Sequence, residues 1–346
     1  MKLLESKMYQ DDLSKAIKNI DLKLLDNKTF FITGGLGLIG STIVDVLITY
    51  GKTGKIYIGA RDYNQFKKRF GGFNNVRYIP YNALEKLQLD KKINFIIHGA
   101  GLASPELYTS NPVETMLSNF DGIHSLLEYA RSENVERVLY ISSSEVYGKK
   151  SIQESFKEDT YGIINIDNIR SSYAITKCAS EMLCKSYNVE FGVDTVVVRP
   201  GHIFGPSAQK TDRRISSEFA YQAASRNELI MKSSGMQKRS YCYSIDCAIQ
   251  ILTVLIKGKS NQAYNIGHDE VVTIREMAEI LAKAGNTSLS AIEASEEEKK
   301  NFNPMCNSSL DNNKVKNLGY VDTFSVEEGL IHTVEILREI ELVNSR

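Results

Sequence analysis

Lys28-Thr29-Phe30-Phe31-Ile32-Thr33-Gly34-Gly35-Leu36-Gly37-Leu38-Ile39-Gly40 decides the fold. Its first half is a short apolar, β-branched run, which predicts a parallel strand buried on both faces. Its second half satisfies both G-x-x-G-x-x-G and G-x-G-x-x-G. After it Ile39, Ile43, Val46, Leu47 and Tyr50 recur at helical spacing, and Gly51 supplies a stop. A strand that runs through glycines into a helix lets backbone N–H groups approach a pyrophosphate at the helix N-terminus, where the dipole favours negative charge. Gly34, Gly37, Leu38, Ile39 and Gly40 are therefore candidate dinucleotide contacts.

Outward from that loop the pattern repeats. Strands are expected at 55–59, 76–79, 93–98, 138–142 and 195–198, with a basic helix over 64–69 and long helices over 113–133 and 172–191. Alternating strands and helices predict a doubly wound α/β (Rossmann) parallel sheet covered on both faces. Beyond Pro200 the segments shorten and the connections become polar, which predicts a smaller mixed α/β substrate domain. The expected division is 1–26, an N-terminal helical extension; 27–200, the dinucleotide-binding domain; and 201–346, mainly the substrate domain, with about 244–267 returning to the first. In the extension Leu13, Ile17 and Ile20 form one stripe, expected to pack on the outside of the dinucleotide domain.

Bulk properties narrow the function. The 42 lysine and arginine residues balance 42 aspartate and glutamate residues, so no global charge draws nucleic acid or a membrane surface, and any anion must be held locally. Five cysteines in odd number and without a C-x-x-C pair fit reduced thiols better than a disulfide framework or a zinc site. No apolar run approaches spanning length and the first residues lack a signal-peptide core, so a cytoplasmic protein is expected.

The chemistry lies in Ser142-Ser143-Ser144-Glu145-Val146-Tyr147-Gly148 and Tyr173-Ala174-Ile175-Thr176-Lys177. A tyrosine with an ordinary pKa near 10 is a poor base, but a lysine four residues on shares its helix face and can stabilise the phenolate. Ser143, at a strand end, can orient the same carbinol oxygen. Taken with the glycine loop, these residues resemble the extended short-chain dehydrogenase/reductases that remodel nucleotide-activated sugars.

The resemblance narrows at His98-Gly99-Ala100-Gly101-Leu102-Ala103-Ser104-Pro105-Glu106-Leu107-Tyr108 with Asn111-Pro112. This stretch is similar to the H-x-A-x-x-A-S-P-x-x-Y-x-x-N-P of the UDP-glucuronate decarboxylases. Ser144 to Gly148, Arg170-Ser171-Ser172-Tyr173, Gln237 to Tyr241 and Tyr264-Asn265-Ile266-Gly267 continue the similarity. It implies that Ser143 and Tyr173 deprotonate a C4 hydroxyl with Lys177 in support, and that Glu145 serves as acid/base or orienting group. It also implies that Ser104, Tyr108, Ser144, His202 and Arg239 meet the nucleoside-diphosphate sugar, and that Asn82, Ala100 and Lys177 join the cofactor contacts. A homodimer built from helices near 113–133 and 172–191 is likewise implied.

Departures from the pattern keep some choices open. Arg61-Asp62 stands where Asp-Asn is usual, so the cofactor is NAD or NADP: an acid would hold ribose hydroxyls and an arginine a 2′-phosphate. Ser144 replaces the aspartate of the 4,6-dehydratases, which argues against dehydration. His202, where an asparagine is usual, is expected to titrate near neutral pH and either donate to phosphate or sit as a satisfied loop residue. A decarboxylase/epimerase-like cycle through a 4-keto species is the first reading. An NADPH-dependent 4-ketoreductase is its rival, and a non-catalytic dinucleotide sensor stands outside both.

Overall fold

A computed structural model describes residues 3–85, 87, 89–103, 105–150, 154–295 and 305–344. Its centre is a parallel sheet of β1 (Phe30–Thr33), β2 (Ile56–Ala60), β3 (Val76–Pro80), β4 (Phe95–His98), β5 (Arg137–Ile141) and β6 (Thr195–Pro200), joined later by another strand. Past β7 (His202–Phe204), β8 (Leu229–Met231), β9 (Lys238–Arg239) and β10 (Tyr241–Tyr243), the chain returns with β11 (Gln262–Ile266) as the sheet's edge. The order is β11-β6-β5-β4-β1-β2-β3. Alternate residues feed two cores: Phe30 and Ile32 enter one and Phe31 the other, as do Val196 and Val198 against Val197. Such two-faced burial explains why these strands read as continuous apolar runs rather than alternating ones. The expected strand over 93–98 starts only at Phe95, because the Asn94 side chain turns in and accepts the Thr29 N–H at 2.8 Å.

Helices close both faces. On one side α2 (Leu38–Tyr50) packs against α8 (Ser244–Lys257). On the other, α5 (Pro112–Glu133) packs along α6 (Ser171–Phe191). Pro112 opens α5, and left-handed Asn134 and Gly192 end α5 and α6. The basic helix is α3 (Tyr63–Phe70), which follows β2 directly, and a short α4 (Pro105–Ser110) precedes α5. The chain leaves β1 toward β2 and β3, then crosses back to β4. The order therefore reverses between β1 and β4, and a crevice forms beyond their carboxyl ends.

The remaining elements form a smaller mixed layer. α7 (Ile215–Ala224), α9 (Ile274–Gly285) and the helix Val326–Asn344 pack together beside two short strand pairings, β8 with β13 (Leu289–Ala291) and β9 with β12 (Val272–Thr273) and β14 (Asn307–Ser308). Thr273 and Glu276 make a reciprocal capping box at the start of α9.

The extension departs from expectation. Its helix α1 (Lys7–Ala16), capped by Ser6, ends before Ile17 and Ile20, which are only half-buried. It does not lie outside one domain but straps the two layers together. The Tyr9 hydroxyl donates to Asp45 of α2 (2.9 Å), while Asp12 accepts from Tyr243 (2.9 Å) and from His332 Nδ1 (3.0 Å). Ser6 reaches Glu339 near the far end of the chain. Tyr9 and Leu13 are buried, and each such side chain contributes about 1.5–3 kcal/mol. Burial lifts the Asp45 carboxyl to about 6 even with Arg69 against it.

His332 carries a pH dependence of known sign. Its hydrogen bond to Asp12 raises its pKa above the ordinary 6.5. The stabilisation is complete below that ordinary value and fades as pH rises through the raised one. Urea unfolding should show His332→Gln less stable than the wild type near pH 6, with the gap shrinking toward pH 9; a gap that stays constant with pH would reject this role for the pair.

Candidate functional site

Beyond Thr33 the chain turns so tightly that side chains are excluded. Gly34 sits at φ +71°, and a Cβ there would lie 2.6 Å from the Gly99 backbone. A Cβ on Gly40 would lie 2.3 Å from the Gly34 carbonyl. Gly37 precedes α2 and brings no capping side chain, so the first N–H groups of the helix face open space. They line a cleft of about 580 Å³, a volume suited to an organic cofactor. Gly34, Gly37, Leu38, Ile39 and Gly40 form part of this lining, with Arg61, Asp62, Asn82 and Ala100 around them. The close glycine approach and the uncapped helix start fit a dinucleotide pyrophosphate.

The rim residues differ in their commitments. Asp62 caps α3, its Oδ1 accepting from Asn64 N (2.8 Å) and Gln65 N (3.0 Å). Arg61 is exposed, and its guanidinium has no ion-pair partner among the described residues. Asn82 is held in a local turn, donating to Glu85 and accepting from Leu84 N. Ala100 N donates to Thr33 Oγ1, which in turn meets buried His98. Across the cleft lies a loop that the sequence reading treated as a mere connection. Gln209, Asp212, Arg213 and Arg214 line the opposite wall, anchored by Ser207 Oγ to Leu38 O (3.0 Å) and by Gln209 to Leu36 O.

The second cluster grows from the end of β5. Ser143 caps a 3₁₀ turn, Ser144–Tyr147, and accepts from Glu145 N at 3.2 Å. Opposite it, one face of α6 presents Tyr173 and Lys177. The Tyr173 ring stacks on Tyr108 with centroids 4.3 Å apart. Burial pushes the Tyr173 hydroxyl up to about 12, while hydrogen bonds from Ser143 and Tyr108 act downward. Burial pulls the Lys177 ammonium down to about 7, opposed chiefly by Glu181. Lys177 Nζ donates to Ile141 O at 2.9 Å and does not line the cleft, although Ile141 does.

Glu145 is not free. Both of its oxygens accept from Arg170, at 2.8 Å each, so the group expected as an acid/base is locked in a guanidinium fork. Ser144 is buried within the turn. Ser104 lies outside the described residues. Arg239 is buried on β9, where it donates to the Lys238 and Met305 carbonyls and has no carboxylate partner among the described residues. His202 meets Ser308 at 2.9 Å, and burial with the nearby Arg239 and Arg214 drives its pKa to about 3. The expectation of titration near neutral pH is thereby overturned: the imidazole is neutral, and any donation to phosphate comes from its neutral N–H.

Sequence reading missed three participants. Arg170 was visible only as part of a motif, and its partner Glu145 stands 25 residues earlier. Glu181, one turn after Lys177, grips Arg199 and accepts from Ser142 at 2.6 Å. Asn119 is buried, and its Oδ1 fills the space that a Cβ on Gly101 would need. The i, i+4 step from Lys177 was a usable signal for Glu181; the other two contacts had no local one.

The sequence profile of the NAD dependent epimerase/dehydratase family matches residues 30–267. The chain is 29% identical to UDP-glucuronic acid decarboxylase 1 of Danio rerio over 98% of its length and 80% of that protein. It is 31% identical to UDP-glucuronic acid decarboxylase 5 of Arabidopsis thaliana over 76% of each. An epimerase structure from Methanothermobacter thermautotrophicus superposes with a TM-score of 0.84 at 20% identity, covering 96% of this chain and 98% of that one, which places the fold.

The loop geometry separates two glycines. Gly40→Ala should lower the melting temperature by at least about 4 °C, whereas Gly37→Ala, whose Cβ would stand 3.4 Å from Gly34 O, should leave it nearly unchanged. Equal losses would show that the close approach at Gly40 is not what shapes the turn.

Proposed function

The chain belongs to the NAD dependent epimerase/dehydratase family, and on that premise we propose that it oxidises C4 of a nucleoside-diphosphate uronate, releases C6 as carbon dioxide and reduces C4 again. One observation carries this reading: Ser143, Tyr173, Lys177 and the Glu145–Arg170 pair converge at the carboxyl end of β5, beside a cleft shaped for a dinucleotide. Gly34 to Gly40, Arg61, Asp62, Asn82 and Ala100 would hold the dinucleotide, with Lys177 standing behind Ile141 at its inner end. When bound, it supplies a hydride acceptor at C4 and a positive charge near Tyr173.

The chain's own residues do the rest. Tyr173, with its hydroxyl high in the resting site, needs positive charge and the Ser143 hydrogen bond before it can take the C4 proton. Lys177 contributes that charge from the same helix face when protonated, although burial lowers its pKa to about 7. A ketone at C4 makes the C6 carboxylate a β-keto acid. The C5–C6 electron pair then flows to the C4 oxygen as carbon dioxide leaves, and C5 takes a proton. Arg239, buried and free of any carboxylate hydrogen bond among the described residues, suits the sugar diphosphate, with neutral His202, Tyr108 and Ser144 completing the sugar pocket.

Arg61 favours a second reading. An exposed guanidinium at the cleft rim beside an Asp62 engaged in helix capping suits a 2′-phosphate, and hence an NADPH-dependent 4-ketoreductase. The apolar stripe Val113, Met116, Leu117 and Phe120 on α5, with Met182 and Val189 on α6, stays exposed and supports a homodimer through these helices. No described helix is long and apolar enough to cross a membrane. Free cysteines support a reducing, cytoplasmic setting.

Purified protein given UDP-glucuronate should release carbon dioxide without net consumption of dinucleotide, and Tyr173→Phe should lower that turnover by about 10³-fold. No release from protein with intact bound cofactor would discard the decarboxylase reading, and stoichiometric NADPH loss with a 4-keto-6-deoxy sugar would establish the reductase. Arg61→Ala should weaken NADP far more than NAD; equal weakening would sink the 2′-phosphate assignment.

A further inference from the structure

The Glu145–Arg170 pair sits inside the catalytic cluster rather than beside it. Glu145 follows Ser143 in the 3₁₀ turn, and Arg170 opens α6 three residues before Tyr173, with its guanidinium 5.8 Å from the centre of the Tyr108 ring. Arg170 is buried, and its Nε has no hydrogen-bond partner among the described residues, so the guanidinium is not fully satisfied. The charged and titratable groups facing Glu145 are Arg170, Tyr108, Tyr173 and Arg239. With both oxygens accepting from Arg170, Glu145 has no proton to give in this arrangement. A buried guanidinium does not release its carboxylate to water; it exchanges it for another anion.

Resting on the uronate reading, we propose that Arg170 is the receptor for the sugar's C6 carboxylate, which displaces Glu145 and so converts it into the proton donor of the reaction. The incoming carboxylate takes the Nη1 and Nη2 fork that Glu145 occupies in the resting site. Glu145, left half-buried beside a second anion and without its counter-charge, takes up one proton from solvent. The C5–C6 bond breaks toward the C4 ketone, carbon dioxide departs, and Glu145 passes its proton to C5 as the enolate collapses. The product carries no carboxylate, so the anionic Glu145 closes again on Arg170 and the cycle resets. A neutral hexose cannot start this exchange, which makes Arg170 a specificity-determining residue for uronates.

Calorimetry on NAD-loaded protein in a Tyr173→Phe background, run in two buffers of different ionisation enthalpy, reads the exchange directly. UDP-glucuronate should bind with uptake of roughly one proton per site and UDP-glucose with none. Glu145→Gln should abolish the uptake while keeping UDP-glucuronate bound. Adding Arg170→Gln to Glu145→Gln, which leaves no orphaned carboxylate to disturb folding, should weaken UDP-glucuronate by roughly 10- to 100-fold and UDP-glucose by less than about threefold. Tight UDP-glucuronate binding without proton uptake, as expected if Arg239 holds the carboxylate, would overturn the proposal and leave the proposed function standing. An equal loss for both sugars would overturn it too, and binding of neither sugar would remove both.

Discussion

The site depends on one largely buried ion pair between its strands and helices. Arg199, on β6, offers Nε and Nη2 to Glu181 of α6 at 3.0 and 2.7 Å, and Glu181 accepts from Ser142 at the end of β5. The remaining Arg199 nitrogen reaches the Tyr147 hydroxyl (3.1 Å) and Glu158 O (3.0 Å), and Tyr147 donates to Asn265 of β11. Three strands, the helix bearing Tyr173 and Lys177, and the turn bearing Ser143 and Glu145 are thereby fixed to one another. A pair of this kind adds little net stability, but removing one partner costs about 3–5 kcal/mol. Its value is geometric: it sets where the serine turn stands relative to the tyrosine helix.

Around that anchor the charges are arranged in reserve. The tyrosine is held too high to ionise and the lysine low enough to lose its charge near neutral pH, both by burial. The Glu145 carboxylate is masked by Arg170, while Arg239 lies buried without a counter-charge among the described residues. Each imbalance is of a kind that a positively charged cofactor ring and an anionic nucleotide-sugar would relieve. The extension adds the mechanical part. By joining Asp45 of α2 to Tyr243 and His332, it couples the helix that starts at the glycine loop to the layer that holds Arg239.

What the sequence disclosed follows from the range of each interaction. The glycine loop, the two-faced strands and the Tyr173–Lys177 step are local patterns, and they located the strands of the sheet within a residue or two. Ser6 with Glu339, Asp12 with Tyr243 and Glu145 with Arg170 are joined only by folding, and no spacing rule announces them. His202 shows the same limit in its chemistry. Its identity suggested a group titrating near neutral pH, but burial beside Arg239 and Arg214 decides its protonation instead. Arg214 and Gln209 look like polar linker residues until Ser207 binds Leu38 O and brings their loop over the cleft.

In the proposed cycle C4 is oxidised and reduced within one binding event. UDP-glucuronate deuterated at C4, incubated with the purified protein and analysed by mass spectrometry and NMR, tests it. A UDP-pentose that keeps the deuterium at C4 is expected, with the dinucleotide unchanged in redox state. A product without the label at C4, or label accumulating in free reduced dinucleotide, would contradict it.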